Sequence, residues 1–173
     1  MTYNKAKNVL YLMSVFFGIC CLYSCSYSFT GASIPSHLKT IAIPLFKDNS
    51  GSGEPELRED FTNSLTKKFL EDNQLRVVPK VNADALLECT IISLSDSPVA
   101  VVSGEEVASR KITITVRVLY RDLVKKQTIF ERNISNYGNY STTGDITTAR
   151  ESAINTSIEN ITEDILINVV SNW

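Results

Sequence analysis

Histidine is nearly missing from this chain, with His37 the only one. A nucleophile–histidine–acid relay therefore has one candidate imidazole, and it lies in a Ser-Ile-Pro-Ser-His loop context (residues 33–37). Cysteine is scarce, with four in 173 residues, and no Cys-x-x-Cys pair occurs. No His/Cys cluster has the spacing of a zinc site. The seven glycines never form a phosphate-cradling loop, and there is no metalloprotease helix motif. A basic excess is also lacking. The formal charge is −2, which argues against a general nucleic-acid binder. Acidic residues are absent from the first two dozen positions, and no apolar run there reaches the roughly 20 residues of a membrane span.

What the start of the chain does contain is ordered. Lys5 and Lys7 precede an apolar stretch from Val9 to Leu22, followed by Tyr23, Ser24 and Cys25. Two early cations, a short apolar run and a small residue before the cleavage point form a secretory signal. A cysteine directly after that small residue, with leucine three places before it, is the processing pattern of bacterial lipoproteins. The expectation is a signal peptide over 1–24 and lipidation of Cys25, with a diacylglycerol on sulfur and a further acyl chain on the new amino terminus. Each buried methylene contributes ~0.8 kcal/mol to membrane anchoring. Tyr23 is bulkier than the usual occupant of its place, and plain secretion or an uncleaved anchor are the alternatives. Cys20 and Cys21 follow Ile19 and Cys20, so neither has the small residue that cleavage needs.

A mature chain from Cys25 to Trp173 is one domain by size and carries formal charge −4, since Lys5 and Lys7 leave with the signal. Cys89 is then the sole unmodified thiol. It falls within an apolar alternation, where burial protects it.

Residues 25–39 read as a lipidated tether and 40–173 as a single domain. Thr40–Phe46 is β-branched and apolar, a strand with Pro44 near its end or on an edge. Lys47–Glu54 is a turn-rich loop. From Pro55 a helix is expected to about Asp72, with Leu57, Phe61, Leu65 and Phe69 on one stripe and Glu56, Glu59 and Asp60 in its first turn. Leu75–Val78 is a brief strand closed by Pro79. Ala85, Leu87, Cys89 and Ile91 alternate in a strand that runs out at Ser95–Pro98. A loop or flared strand end over Val99–Val102 and a turn at Gly104–Glu106 follow.

The clearest alternation covers Arg110–Asp122. Ile112, Ile114, Val116, Val118 and Tyr120 point one way, and Thr113, Thr115, Arg117, Leu119 and Arg121 the other. Leu123–Gln127 makes a hairpin connection to a return strand over Thr128–Tyr137, with Phe130 and Ile134 inward. Asn136–Asp145 reads as a loop carrying Tyr137 and Tyr140, either an aromatic contact surface or an ordinary loop. Thr148 with Glu151 has capping-box form and opens a last helix through Ile154, Ile158, Ile161, Ile165 and Val169.

The element order is β-α-β-β-β-β-α. The fold expected is α+β, a two-layer sandwich with two amphipathic helices on one face of a mainly antiparallel sheet of four to five strands. Its free face, bearing Thr113, Thr115, Arg117 and Arg121, is the candidate working surface. Nothing converges as acid, base and nucleophile, so no enzyme, no metal and no cofactor beyond the lipid on Cys25 are expected. Six cations lie along one hairpin: Arg110, Lys111, Arg117, Arg121, Lys125 and Lys126. They read either as an anion-binding surface or as the wet face of a half-exposed hairpin.

The stretches Cys25–Gly31, Ile34–Gly51 (IPSHLKTIAIPLFKDNSG), Pro55–Phe69 (PELREDFTNSLTKKF), Leu75–Ile91, Ser109–Leu123 (SRKITITVRVLYRDL) and Ala149–Trp173 together resemble the lipopolysaccharide-assembly outer-membrane lipoprotein family. The resemblance implies a non-enzymatic protein, anchored by lipid at the periplasmic face of an outer membrane. Its partner would be a large outer-membrane β-barrel translocon, which it plugs and helps assemble, and its ligand lipopolysaccharide. The six hairpin cations are assigned to that anionic ligand by charge alone. The rival is a periplasm-facing lipoprotein that regulates a cell-wall synthase. Such a reach needs a long disordered linker, and Ser26–Lys39 is short.

Overall fold

The computed structural model describes residues 34–99 and 109–171. The signal-like stretch, Cys25, the Gly104–Glu106 turn and Trp173 lie outside them. The elements are β1 (Thr40–Ala42), β2 (Lys47–Asp48), α1 (Leu57–Asp72), β3 (Arg76–Val77), β4 (Ala85–Pro98), β5 (Ser109–Asp122), β6 (Gln127–Ser141) and α2 (Ile146–Ser171), with a 3-10 turn at Lys80–Asn82 before β4. One six-stranded sheet runs β3-β1-β4-β5-β6, and β2 also pairs with β4. The protein is α+β, with two helices on one face of a mixed sheet.

The three long strands pair antiparallel, β4 with β5 and β5 with β6. The short pairings of β1 with β3, β1 with β4 and β2 with β4 are parallel. Strands that run the same way need a crossover, and α1 supplies it between β1 and β3. Lys47–Asp48, expected as loop, pairs with Thr90–Ile91. A polar dipeptide carries no alternation of its own, so only its partner makes it a strand.

The helices are held by the stripes that their spacing predicts. Leu57, Phe61, Leu65 and Phe69 of α1 are buried, and the Phe61 ring stacks on Phe46 at 5.2 Å between centroids. Full burial of such a side chain contributes about 1.5–3 kcal/mol. The helix stops where Asn73 turns left-handed (φ 59°) and donates its N–H to the Phe69 carbonyl. Ile154, Ile158, Ile161, Ile165 and Val169 of α2 join the same core. The start of α2 differs from the expected box. Asp145 caps it, accepting from the Thr148 N–H and hydroxyl at 3.2 and 2.7 Å.

Two stretches read as irregular are in fact ladder. β4 continues through Ser95–Pro98, after a bulge between Ile91 and Ser93 that shifts the inward-facing set from odd to even positions. Leu94 and Asp96 thus fall on the helix side. β6 extends to Ser141, so Tyr137 and Tyr140 stand on opposite faces of a strand rather than on a loop. Gly138 allows this by lying directly under Ala153 of α2. Pairing with β5 and cover by the helix override the turn preference of a Gly/Asn-rich segment.

Candidate functional site on the basic hairpin

β5 and β6 distribute the six hairpin cations by parity and by length. At ~3.4 Å per residue, Lys111 and Arg121 stand about 34 Å apart along β5, so the six form no single patch. Arg110 falls on the helix side, where its Nε donates to Asp96 at 2.8 Å. The Tyr140 hydroxyl donates to the other Asp96 oxygen at 2.7 Å, and Arg150 pairs with Glu54 at 2.7 Å. Arg110 is thus part of an ion-paired cluster closing one end of the sandwich. Burial and the bond to Asp96 push the Tyr140 hydroxyl above its ordinary pKa.

Lys111, Arg117 and Arg121 lie on the free face. Lys111 lies over the Tyr137 ring, 5.2 Å from its centroid. Arg117 is exposed, 3.9 Å from Glu131, and half-buried Arg121 pairs with Glu88. The face between them is lined by hydroxyls and amides, with Thr115 donating to Ser135 at 3.2 Å. Two of its three cations are therefore neutralised by neighbours on adjacent strands.

Lys125 and Lys126 occupy the β5–β6 turn, where Lys126 takes a left-handed conformation (φ 56°). Both are exposed and have no acid partner among the described residues. Beside them is a hollow of about 330 Å³ lined by Arg121, Asp122, Leu123, Lys126, Gln127 and Thr128. Arg121 also keeps one buried N–H, Nε, with no partner among the described residues. A larger hollow, about 480 Å³, lies between the N-terminal ends of the helices, but Glu54, Glu56, Asp60 and Glu151 line it. Burial, then Glu56, Glu59 and Glu151, raise the Asp60 pKa, and Arg150, the one cation in that lining, is paired with Glu54.

Asp122 organises the hairpin end. It is 2% exposed and accepts from His37 Nε2 at 2.7 Å and from the Lys125 N–H at 2.8 Å. Burial opposes its charge, yet the Lys125 N–H and the His37 ring hold its pKa below the usual carboxylate value. His37, read as a tether residue, is thereby fixed to the sheet. The same end gathers Lys39, Arg76 and Lys80, none of them singled out by sequence. Their placement depends on the parallel register of β1, β3 and β4, which no local pattern announces. Cys89 is buried on the inner side of β4, and burial drives its thiol pKa strongly up.

The family model described as "LptE: Lipopolysaccharide-assembly" matches residues 38–169. No curated protein matches the sequence. Solved structures share the fold at low identity. A hypothetical protein of Chlamydia trachomatis superposes with TM-score 0.58 at 13% identity, covering 76% of this chain and 95% of that one. The uncharacterized lipoprotein B of Nitrosomonas europaea gives 0.55 at 11%, covering 82% and 87%. A minor lipoprotein of Acinetobacter baumannii gives 0.53 at 12%, covering 78% and 94%.

Proposed function

Because the chain belongs to the LptE lipopolysaccharide-assembly family, we propose that it is a lipid-anchored outer-membrane lipoprotein that plugs and helps assemble a large β-barrel translocon for lipopolysaccharide. The observation that carries this is the extent of the family match, which begins before β1 and runs almost to the end of α2. On this reading the protein is no enzyme. It acts by occupying space and by binding, with Cys25 acylated and the domain on the periplasmic face.

Lipopolysaccharide is polyanionic, and arginine and lysine are its natural contacts. The free face offers Lys111, Arg117 and Arg121, and the adjoining turn offers Lys125 and Lys126. Arg110, tied to Asp96 on the opposite face, is the least available of the six. Against the cell-wall-synthase rival stands the length of the linker. His37 is bonded to Asp122 and Leu38 is in the core, so only residues 26–33 remain between Cys25 and the described domain.

The test is recovery of partners. Pull-down from detergent-solubilised outer membrane is expected to yield one large β-barrel protein in equal amount. Recovery of a cell-wall synthase would replace this reading with the rival. Cys25→Ala is expected to abolish labelling by a fatty-acid analogue, and persistent labelling removes the anchor. Replacing Arg117 and Arg121 by Gln is expected to weaken lipopolysaccharide binding, together with a lower melting temperature from the lost Glu131 and Glu88 pairs; binding equal to that of the parent returns both residues to the wet face of the hairpin.

A further inference from the structure

Segments far apart in sequence meet at one end of the sheet. The starts of β1, β3 and β4 lie together there with the β5–β6 turn. Two carboxylates join them. The Asp84 side chain accepts from the N–H groups of Lys39 and Thr40, both at 3.0 Å, while its backbone carbonyl accepts from the Leu123 N–H at 2.8 Å. Asp122 accepts from His37 and from the Lys125 N–H. Both acids are committed to these bonds. The side chains left facing water are Lys39, Arg76, Lys80, Lys125 and Lys126, all exposed and without an acid within 4 Å among the described residues. A chain of net charge −2 thus brings to one end five cations with no acid within 4 Å among the described residues, an excess over Glu71 and Asp72, with which α1 ends here.

Two valines stand among them. Val81 is 89% exposed and Val124 57%. Each is the sequence neighbour of a lysine, at Lys80-Val81 and Val124-Lys125, and the two loops are joined by the Leu123–Asp84 hydrogen bond. Isolated apolar tips ringed by cations gain little in water. At an anionic bilayer each cation is drawn to the negative surface, and the valines can enter the headgroup layer.

The chain enters at this same end. His37 is bonded here, and residues 26–33 reach at most about 30 Å when extended. We propose that this end of the sandwich is a lipid-facing surface, which docks on the anionic phospholipid headgroups of the leaflet holding the Cys25 acyl chains. The inference rests on the lipidation of Cys25. It gives Lys39, Arg76 and Lys80 a role and takes the turn lysines Lys125 and Lys126 for the phospholipid surface, which leaves Lys111, Arg117 and Arg121 of the free face to lipopolysaccharide.

The acylated protein itself provides the test. With Cys25 blocked and Cys89 buried, Val81→Cys or Val124→Cys introduces one reactive thiol for a spin label. Leu45→Cys and Ile146→Cys, both 47% exposed and away from this end, serve as controls. The labelled proteins are reconstituted in vesicles of phosphatidylcholine, with or without phosphatidylglycerol. With phosphatidylglycerol present, labels at 81 and 124 are expected to become several-fold less accessible to a water-soluble relaxation agent, while those at 45 and 146 stay aqueous. The combined Lys80→Glu, Lys125→Glu and Lys126→Glu changes are expected to reverse this. Labels at 81 and 124 as aqueous as the controls would overturn the proposal. Protection that appears only when lipopolysaccharide is in the vesicle would also overturn it, giving this end to that ligand. Intact mass of the same samples separates the premise from the inference: absent acyl mass overturns both, and acyl mass with aqueous labels overturns docking alone.

Discussion

Gly138 of β6 lies so close to Ala153 of α2 that a Cβ built on it would stand 2.8 Å from the Ala153 Cα and nearer still to its carbonyl oxygen. The contact is backbone against backbone, with no flexible side chain to yield. Gly138→Ala is therefore expected to push α2 off the sheet and cost roughly 1–3 kcal/mol, the usual range for overpacking. Urea unfolding of the variant measures it. A midpoint equal to that of the parent would show that the helix can shift without cost.

Acid should weaken the hairpin end in a defined direction. Asp122 has a folded pKa below its unfolded value, so its contribution is complete above about pH 4 and is lost as pH falls through the folded pKa. Asp84 is lowered as well, chiefly by the Lys39 N–H, and acts in the same sense. The expected outcome is an unfolding free energy that declines below about pH 4, with a shallower decline in Asp122→Asn. At neutral pH that variant should be less stable by about 1–3 kcal/mol, because His37 and the Lys125 N–H lose a charged acceptor. Denaturant titrations across the acid range give both quantities.

The last helix offers a direct comparison of two caps. Asp145 holds the first turn of α2 through Thr148, and hydrogen bonds to Thr148 keep the Asp145 pKa low. Asp145→Ala is expected to cost about 1 kcal/mol. Glu151→Ala, which would remove the capping box read from sequence, is expected to leave thermal stability almost unchanged. Equal losses in the two variants would restore the box.

Cys89 should be chemically silent in the folded protein. It is 4% exposed, and burial holds its thiol in the unreactive protonated form. A maleimide reagent is expected to leave it unmodified in buffer and to label it fully in concentrated guanidinium chloride. Labelling in buffer at the rate of a free thiol would mean that β4 opens readily.

Local spacing alone determined the two helices, the stripe from Leu57 to Phe69, the two faces of β5 and the burial of Cys89. Each follows from a periodicity of 3.6 or 2 that any apolar surface must satisfy. The α+β class follows too, because two one-sided helices and a one-sided sheet bury each other. Tertiary structure alone decided that Lys47–Asp48 is a strand, that Ser95–Pro98 and Asn136–Ser141 stay in the ladder, and that His37 is a fixture of the sheet. These depend on partners tens of residues away, for which no segment carries a local signal. The cations divide in the same way. Their presence on the hairpin is plain in sequence, but register put Arg110 beside Asp96 and set Lys39, Arg76 and Lys80 at the same end of the sheet as Lys125 and Lys126. A charge acts through its distance to other charges, and only the folded chain sets those distances.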